Sequence, residues 1–172
     1  MAEWTTRHPD GQQVWNATQL AALDLAGIPR LLGLFEPDHM KFEHDRPRDR
    51  AGEPSLADMT RAAIRVLQRN RSGFVLLVEG GRIDHAHHAG NAFRALADTV
   101  ALSDAVRAAG AMTSADDTLI VVTADHAHTL TFAGYPVRGN QILGKVRGRS
   151  VEDDEPGQYA RDRLGLPYTT LG

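Results

Sequence analysis

Cysteine is absent from the 172 residues. No disulfide and no thiolate zinc site can form, so any metal must be held by histidine and carboxylate. No apolar run approaches the length that crosses a bilayer. Basic residues are not in excess: the formal net charge is -3, which argues against a nucleic-acid partner. The first residues, Met-Ala-Glu-Trp-Thr-Thr, carry no basic-then-apolar signal-peptide pattern. Internal repeats and a linker between domains are also lacking, and the length suits one domain with a real core. What the chain has in a biased way is histidine. Five of its eight histidines sit at 85, 87, 88, 126 and 128, beside Glu79, Asp84 and Asp125.

The apolar pattern predicts an α/β fold. Residues 74–78, Phe-Val-Leu-Leu-Val, read as a buried strand that stops at Glu79 and is broken by Gly80-Gly81. Leu31-Leu-Gly-Leu-Phe35 and Asp117-Thr-Leu-Ile-Val-Val-Thr123 read as two further buried strands. Asn16-Ala-Thr-Gln19 resembles a capping box opening a helix through Leu20, Leu23 and Leu25. Asn16-Ala-Thr18 is also a formal glycosylation sequon, a triplet common by chance. Ser55 is placed to cap a helix with Asp58 at its third position, and Leu56, Met59, Ala63 and Val66/Leu67 give that helix an apolar face. After His88, Phe93, Leu96 and Val100 continue at helical spacing to about Ala109, where Gly110 supplies a stop. Strand, helix and strand with acidic clusters at the strand ends make a βαβ unit of a parallel sheet. That unit puts Glu79, Asp84 and Asp125 at one edge, where open α/β sheets keep their chemistry. Residues 1–13 read as polar, Gly134-Tyr-Pro-Val-Arg-Gly139 as turn-rich, and 147–163 as charged and exposed.

The residue types point to metal. Asp84 and His88 are four apart, so on a helical turn they face one way, a common geometry for two ligands of one zinc ion. Asp125 and His126 can chelate a second ion from an irregular strand exit. Glu79, a lone carboxylate nearby, suits a harder ion such as magnesium. Each has a plainer alternative. An isolated Asp-x-x-x-His pair is usually a surface or capping pair, Asp125 could cap a helix, and Glu79 could pair with Arg82.

Glu79-Gly-Gly-Arg-Ile-Asp84-His-Ala-His-His88 and Val122-Thr-Ala-Asp125-His126-Ala-His128 resemble, in order, two metal-binding segments of alkaline phosphatases, and the flanks resemble the animal-type branch. The resemblance implies an α/β fold with a mainly parallel sheet flanked by helices, incomplete at both ends. The 172 residues would then be a single partial domain, the central part of a catalytic domain. It implies two zinc ions, one held by Asp84 and His88 and the other by Asp125 and His126, and a magnesium ion held by Glu79. His128 and His85 would orient ligands from behind, while His87 has either no role or a packing role. Leu34-Phe-Glu-Pro37 and Glu53-Pro-Ser-Leu56 resemble segments bounding a calcium site, with the Phe35 carbonyl, Glu36 and Glu53 as ligands. Composition alone reads residues 36–54 as a solvated loop.

The complete enzyme implied is a hydrolase of small phosphate monoesters acting through a phosphoserine. It would be a homodimer by habit of the family, and periplasmic, secreted or membrane-anchored. The nucleophilic serine's Asp-Ser-Ala segment and the arginine that clamps phosphate have no counterpart among these residues. The chain alone is therefore expected to be inactive. Two alternatives stand beside this reading. One is a non-catalytic metal-binding fragment. The other is a related metalloenzyme of the same superfold, such as a phosphodiesterase, sulfatase or phosphoglycerate mutase.

Overall fold

In the computed structural model, which describes residues 2–132, 136–147 and 159–171, two helices begin at side-chain caps. After a short first helix, α1 (Ala2–Arg7), strand β1 (Gln12–Val14) leads into α2 (Ala17–Ala21). Asn16 Oδ1 accepts from the Gln19 N–H at 2.8 Å, and Gln19 Oε1 accepts from the Trp15 N–H at 2.7 Å. Helix α2 is shorter than its leucine spacing predicts. Past Ala21 the chain tightens into successive turns, with Leu25 N–H bonded to Leu23 O and Gly27 N–H to Asp24 O, yet Leu20 and Leu25 both stay buried. Strand β2 (Leu31–Gly33) then pairs in parallel with β1, register Gln12↔Leu31 to Val14↔Gly33. This β1–α2–β2 crossover is a small parallel α/β unit. Neither α1 nor β1 was expected in the polar 1–13 stretch.

Helix α3 (Leu56–Leu67) starts at a full capping box: Ser55 Oγ accepts from Asp58 N–H at 3.1 Å and Asp58 Oδ2 from Ser55 N–H at 3.3 Å. Its expected face of Leu56, Met59, Ala63 and Val66/Leu67 is only half-buried. The buried positions are Ala57, Thr60, Ala62 and Ile64, because the helix is packed on two sides. Ala62 joins Val14, Leu20 and Leu25, with Leu31, Phe35 and Val66 around them. Ala57 meets Ala105 and Ala108 of α5 (Ala92–Met112), with Val78 against the same cluster.

Helix α4 (Arg82–His88) is separated from α5 by Gly90, whose φ of 62° only a residue without Cβ adopts readily. Helix α5 runs through Gly110 to Met112 instead of stopping there. Its terminal Met112 carbonyl accepts from Gln68 Nε2 at 2.8 Å, so a tertiary contact satisfies the end that a glycine was expected to close.

The expected strands at 74–78 and 117–123 are not found: among the described residues neither joins a ladder. Nor are they buried. Val75 is 94 % exposed, Leu77 86 % and Leu119 87 %. An apolar run becomes a strand only when neighbours take its N–H and C=O groups, and no described segment pairs with these two. The βαβ unit expected from 74 to 123 is thus replaced by two extended runs either side of α5. No described helix is long and apolar enough to cross a membrane.

The chain divides into two compact units, Met1–Ile83 with Arg94–Thr123, and Asp84–Phe93 with Ala124–Gly172. The first holds both apolar clusters. The second is organised around Val146, 2 % exposed, with isolated antiparallel bridges Lys145↔Thr169 and Arg147↔Tyr159 beside it. Of the turn-rich 134–139 stretch and the charged 147–163 stretch, residues 134–135 and 148–158 lie outside the described residues.

Ile64, 1 % exposed, is the largest side chain buried within α3. Ile64→Ala is expected to lower stability by about 2–5 kcal/mol, read as a shift in the urea midpoint. Asp98 of α5 is also buried. Its carboxylate accepts from the Glu43 N–H at 3.3 Å, and burial pushes its pKa up from the usual 3.8. A raised carboxyl pKa favours the neutral form in the folded state. That contribution is complete below 3.8 and is lost as pH rises through the folded value. Asp98→Asn is expected to remove this slope, so wild type should lose stability relative to the variant as pH rises above 3.8 toward the raised folded value.

Candidate metal centre

The second unit gathers imidazoles around one carboxylate. Asp84 occupies the first turn of α4, and His88 lies one turn on, its Nε2 3.5 Å from Asp84 Oδ2. The segment after Ala124 supplies two more rings. His128 Nε2 stands 2.6 Å from Asp84 Oδ1, and His126 Nε2 is 3.5 Å from the same oxygen. The rings also pack on each other. His87 stacks on His128 with centroids 4.8 Å apart and planes 9° from parallel, while His88 meets His128 edge-on at 5.0 Å.

The hydrogen bond from His128, with the charges of His88, His128 and His126 adding to it against burial, holds the Asp84 carboxyl below the usual carboxylate range. Asp84 is therefore an ionised, acceptor-only group ringed by nitrogen donors. A metal ion bound through these nitrogens would need them free of protons on the side that faces it.

Ligand atoms of Asp84, His126 and His128 all lie within 4.8 Å of one another. One carboxylate oxygen and imidazole nitrogens are donor types that zinc takes. The exposed Asp125 stands apart from this group. Its Oδ1 accepts from the His126 N–H at 3.0 Å and its Oδ2 is 3.5 Å from His126 Nε2. His85 lies on α4, its carbonyl accepting from Ala89 N–H.

Glu79 belongs to the first unit. Its carboxylate folds back over Gly81, where a Cβ would stand 3.0 Å from Glu79 Oε1. Gly81 thus leaves room for the acid two residues before it.

Also in the first unit, Glu36, Asp49 and Glu53 bring their oxygens within 4.8 Å of one another. Glu36 and Glu53 were expected together. Phe35, expected to offer its carbonyl, packs its side chain on the apolar cluster around Val14 and Leu20.

Sequence reasoning missed Asp49, and it offered His87 a packing role without naming its partner. Asp49 arrives through the 3-10 turn Arg46–Arg48, and its Oδ2 accepts from the N–H groups of Gly52 at 2.7 Å and Glu53 at 3.2 Å. An Asp three residues before a glycine is the one local hint of that turn. For His87 no signal exists in the spacing, because its partner is forty residues away in the sequence.

With this geometry in place, comparison with known proteins decides the family. The alkaline phosphatase family profile matches residues 1–160. The chain belongs to the alkaline phosphatase family. The tissue-nonspecific alkaline phosphatase isozyme of Felis catus is 50 % identical over 166 residues, covering 96 % of this chain and 31 % of that protein. The Homo sapiens isozyme is 47 % identical over 166 residues, with the same 96 % and 31 % coverage. An alkaline phosphatase of Gadus morhua is 45 % identical over 156 residues, covering 90 % and 32 %. The chain spans about a third of the length of these relatives.

Among solved structures, the Thermus thermophilus alkaline phosphatase superimposes with a TM-score of 0.56 at 34 % identity, over 63 % of this chain and 22 % of that one. A cold-active alkaline phosphatase from Shewanella sp., at 24 % identity and a TM-score of 0.51 over 63 % and 25 %, shares the fold. The helices and parallel strand pair of this chain are part of that α/β architecture.

The arrangement predicts how ion binding responds to mutation. Asp84→Ala and His128→Ala are each expected to weaken zinc binding about 10–100-fold in equilibrium dialysis. An unchanged affinity in both would separate zinc from this cluster.

Proposed function

We propose that this chain carries the metal-binding heart of a phosphate monoester hydrolase and forms the central part of its single catalytic domain. The observation that carries the reading is the gathering of His88, His126 and His128 on the Asp84 carboxylate. Asp84 and His88 would hold one zinc, Asp125 and His126 the other, and Glu79 would take magnesium. His128, 2.6 Å from Asp84, fixes the direction in which that carboxylate presents its oxygens. The ions, when bound, supply Lewis acidity to the attacking and leaving oxygens of phosphoryl transfer.

The chain's own residues bind and orient. They do not attack. No Asp-Ser-Ala segment occurs in the sequence, and Ser55 uses its hydroxyl at the α3 cap. The serine nucleophile and the phosphate-clamping arginine therefore come from other parts of a complete enzyme, whose substrates are small phosphate monoesters.

The purified chain, supplied with zinc and magnesium, is expected to give no measurable turnover of p-nitrophenyl phosphate. Turnover that vanishes in Asp84→Ala would overturn the view that the machinery here is partial. The reading itself is tested by exchanging the matching third of the human tissue-nonspecific isozyme for residues 1–160. The chimera is expected to hydrolyse p-nitrophenyl phosphate and to lose about a hundredfold or more with Asp84→Ala or His126→Ala. A folded, active chimera indifferent to both substitutions would sink it.

A further inference from the structure

The acidic cluster of the first unit already faces a cation. Lys41 Nζ lies 3.0 Å from Glu36 Oε1, and that glutamate is only 13 % exposed. The same residue's backbone N–H reaches both oxygens of Glu53, at 3.1 and 2.9 Å, and Glu53 is 3 % exposed. Asp49 Oδ2 is taken by two N–H groups of its own loop.

Calcium needs six to eight oxygens that are free to turn toward it. Here the oxygens are the right chemical type, but Glu53 and Asp49 are engaged by N–H groups and Glu36 by an ammonium. The set does not fit a free calcium ion while Lys41 is in place.

We infer that the Lys41 ammonium, ion-paired with Glu36, is the tethered cation of the Glu36–Asp49–Glu53 cluster and closes it to calcium. Electrostatics agree. The hydrogen bond to Glu36 holds the Lys41 ammonium above the usual lysine range against burial, and the charges of Glu36, Glu53 and Asp49 add to it. Burial pushes Glu53 up, the charges of Glu36 and Asp49 push it further, and the Lys41 N–H and ammonium bring it partly back. A single flexible side chain thus supplies the positive charge that three converging acids require. The loop is ordered by a component of its own sequence. This inference stands on the first unit alone and does not depend on the phosphatase reading.

Calcium chloride titrated into the full chain, followed by calorimetry and by equilibrium dialysis, tests it. Wild type and Lys41→Arg are expected to show no saturable calcium binding at the cluster. Lys41→Gln is expected to bind one calcium with a Kd of about 0.1–1 mM, in the range of modest protein sites, and to lose it when Glu36→Gln is added. Lys41→Met, which keeps the aliphatic stem, serves as a second opening variant should the glutamine variant not fold. Calcium binding by wild type that disappears in Glu36→Gln overturns the inference, because the cluster would then be open. Failure of both folded opening variants to bind overturns it too, because lysine would not be what keeps calcium out.

Discussion

Helix α3 is buried from two sides, and that constraint organises the first unit. A helix packed on one face tolerates large residues there, whereas one held between two layers needs small ones on at least one of them. Ala62 faces the β1–α2–β2 unit and Ala57 faces the alanines of α5. Ile64, buried to 1 %, fills the space these leave. Val78 rests on the α3–α5 contact. The packing of alanines therefore fixes where the 74–78 run ends, and with it the position of Glu79.

Charge does the corresponding work in the loop between β2 and α3. Asp45 takes a forked contact from Arg94 at 2.8 and 3.1 Å, Glu43 does the same with Arg46, and the Glu43 N–H reaches Asp98. The Phe42 ring lies under the Arg82 guanidinium at 3.8 Å. A buried acid without donors would cost several kcal/mol, so each of these contacts constrains the backbone that supplies it. What composition alone reads as a solvated loop holds Glu43, Asp45, Asp49 and Glu53, each matched to a named donor.

The sequence was legible where the controlling interaction is local. Ser55 with Asp58, Asn16 with Gln19 and the Asp84/His88 turn all depend on residues within four positions of each other, and all are present. The strand expected at 31–35 forms only over Leu31–Gly33, where β1 pairs with it, and is not buried there. The sequence was less legible where a distant partner decides. Helix α5 passes Gly110 because Gln68 caps it from another helix. Asp49 enters the acidic cluster through a turn with little signature. His87 acquires its stacking partner from a segment forty residues on. The runs at 74–78 and 117–123 were apolar enough to read as strands. Apolar content, however, reports only a preference for burial, and a strand also needs a neighbour whose hydrogen bonds it can share.

Those two runs have a consequence for the chain in solution. Val75, Leu77, Leu119 and Val121 stand exposed on backbone that joins no ladder among the described residues, the arrangement by which one polypeptide can template another edge to edge. With a net charge of only -3, long-range repulsion between copies is weak. Keeping them apart falls to charged gatekeepers at the ends of each run, Arg71 and Glu79 around the first, Asp116, Asp117 and Asp125 around the second. Neutralising those few side chains, by acid or by substitution, removes the barrier to self-association while leaving the packed helices untouched.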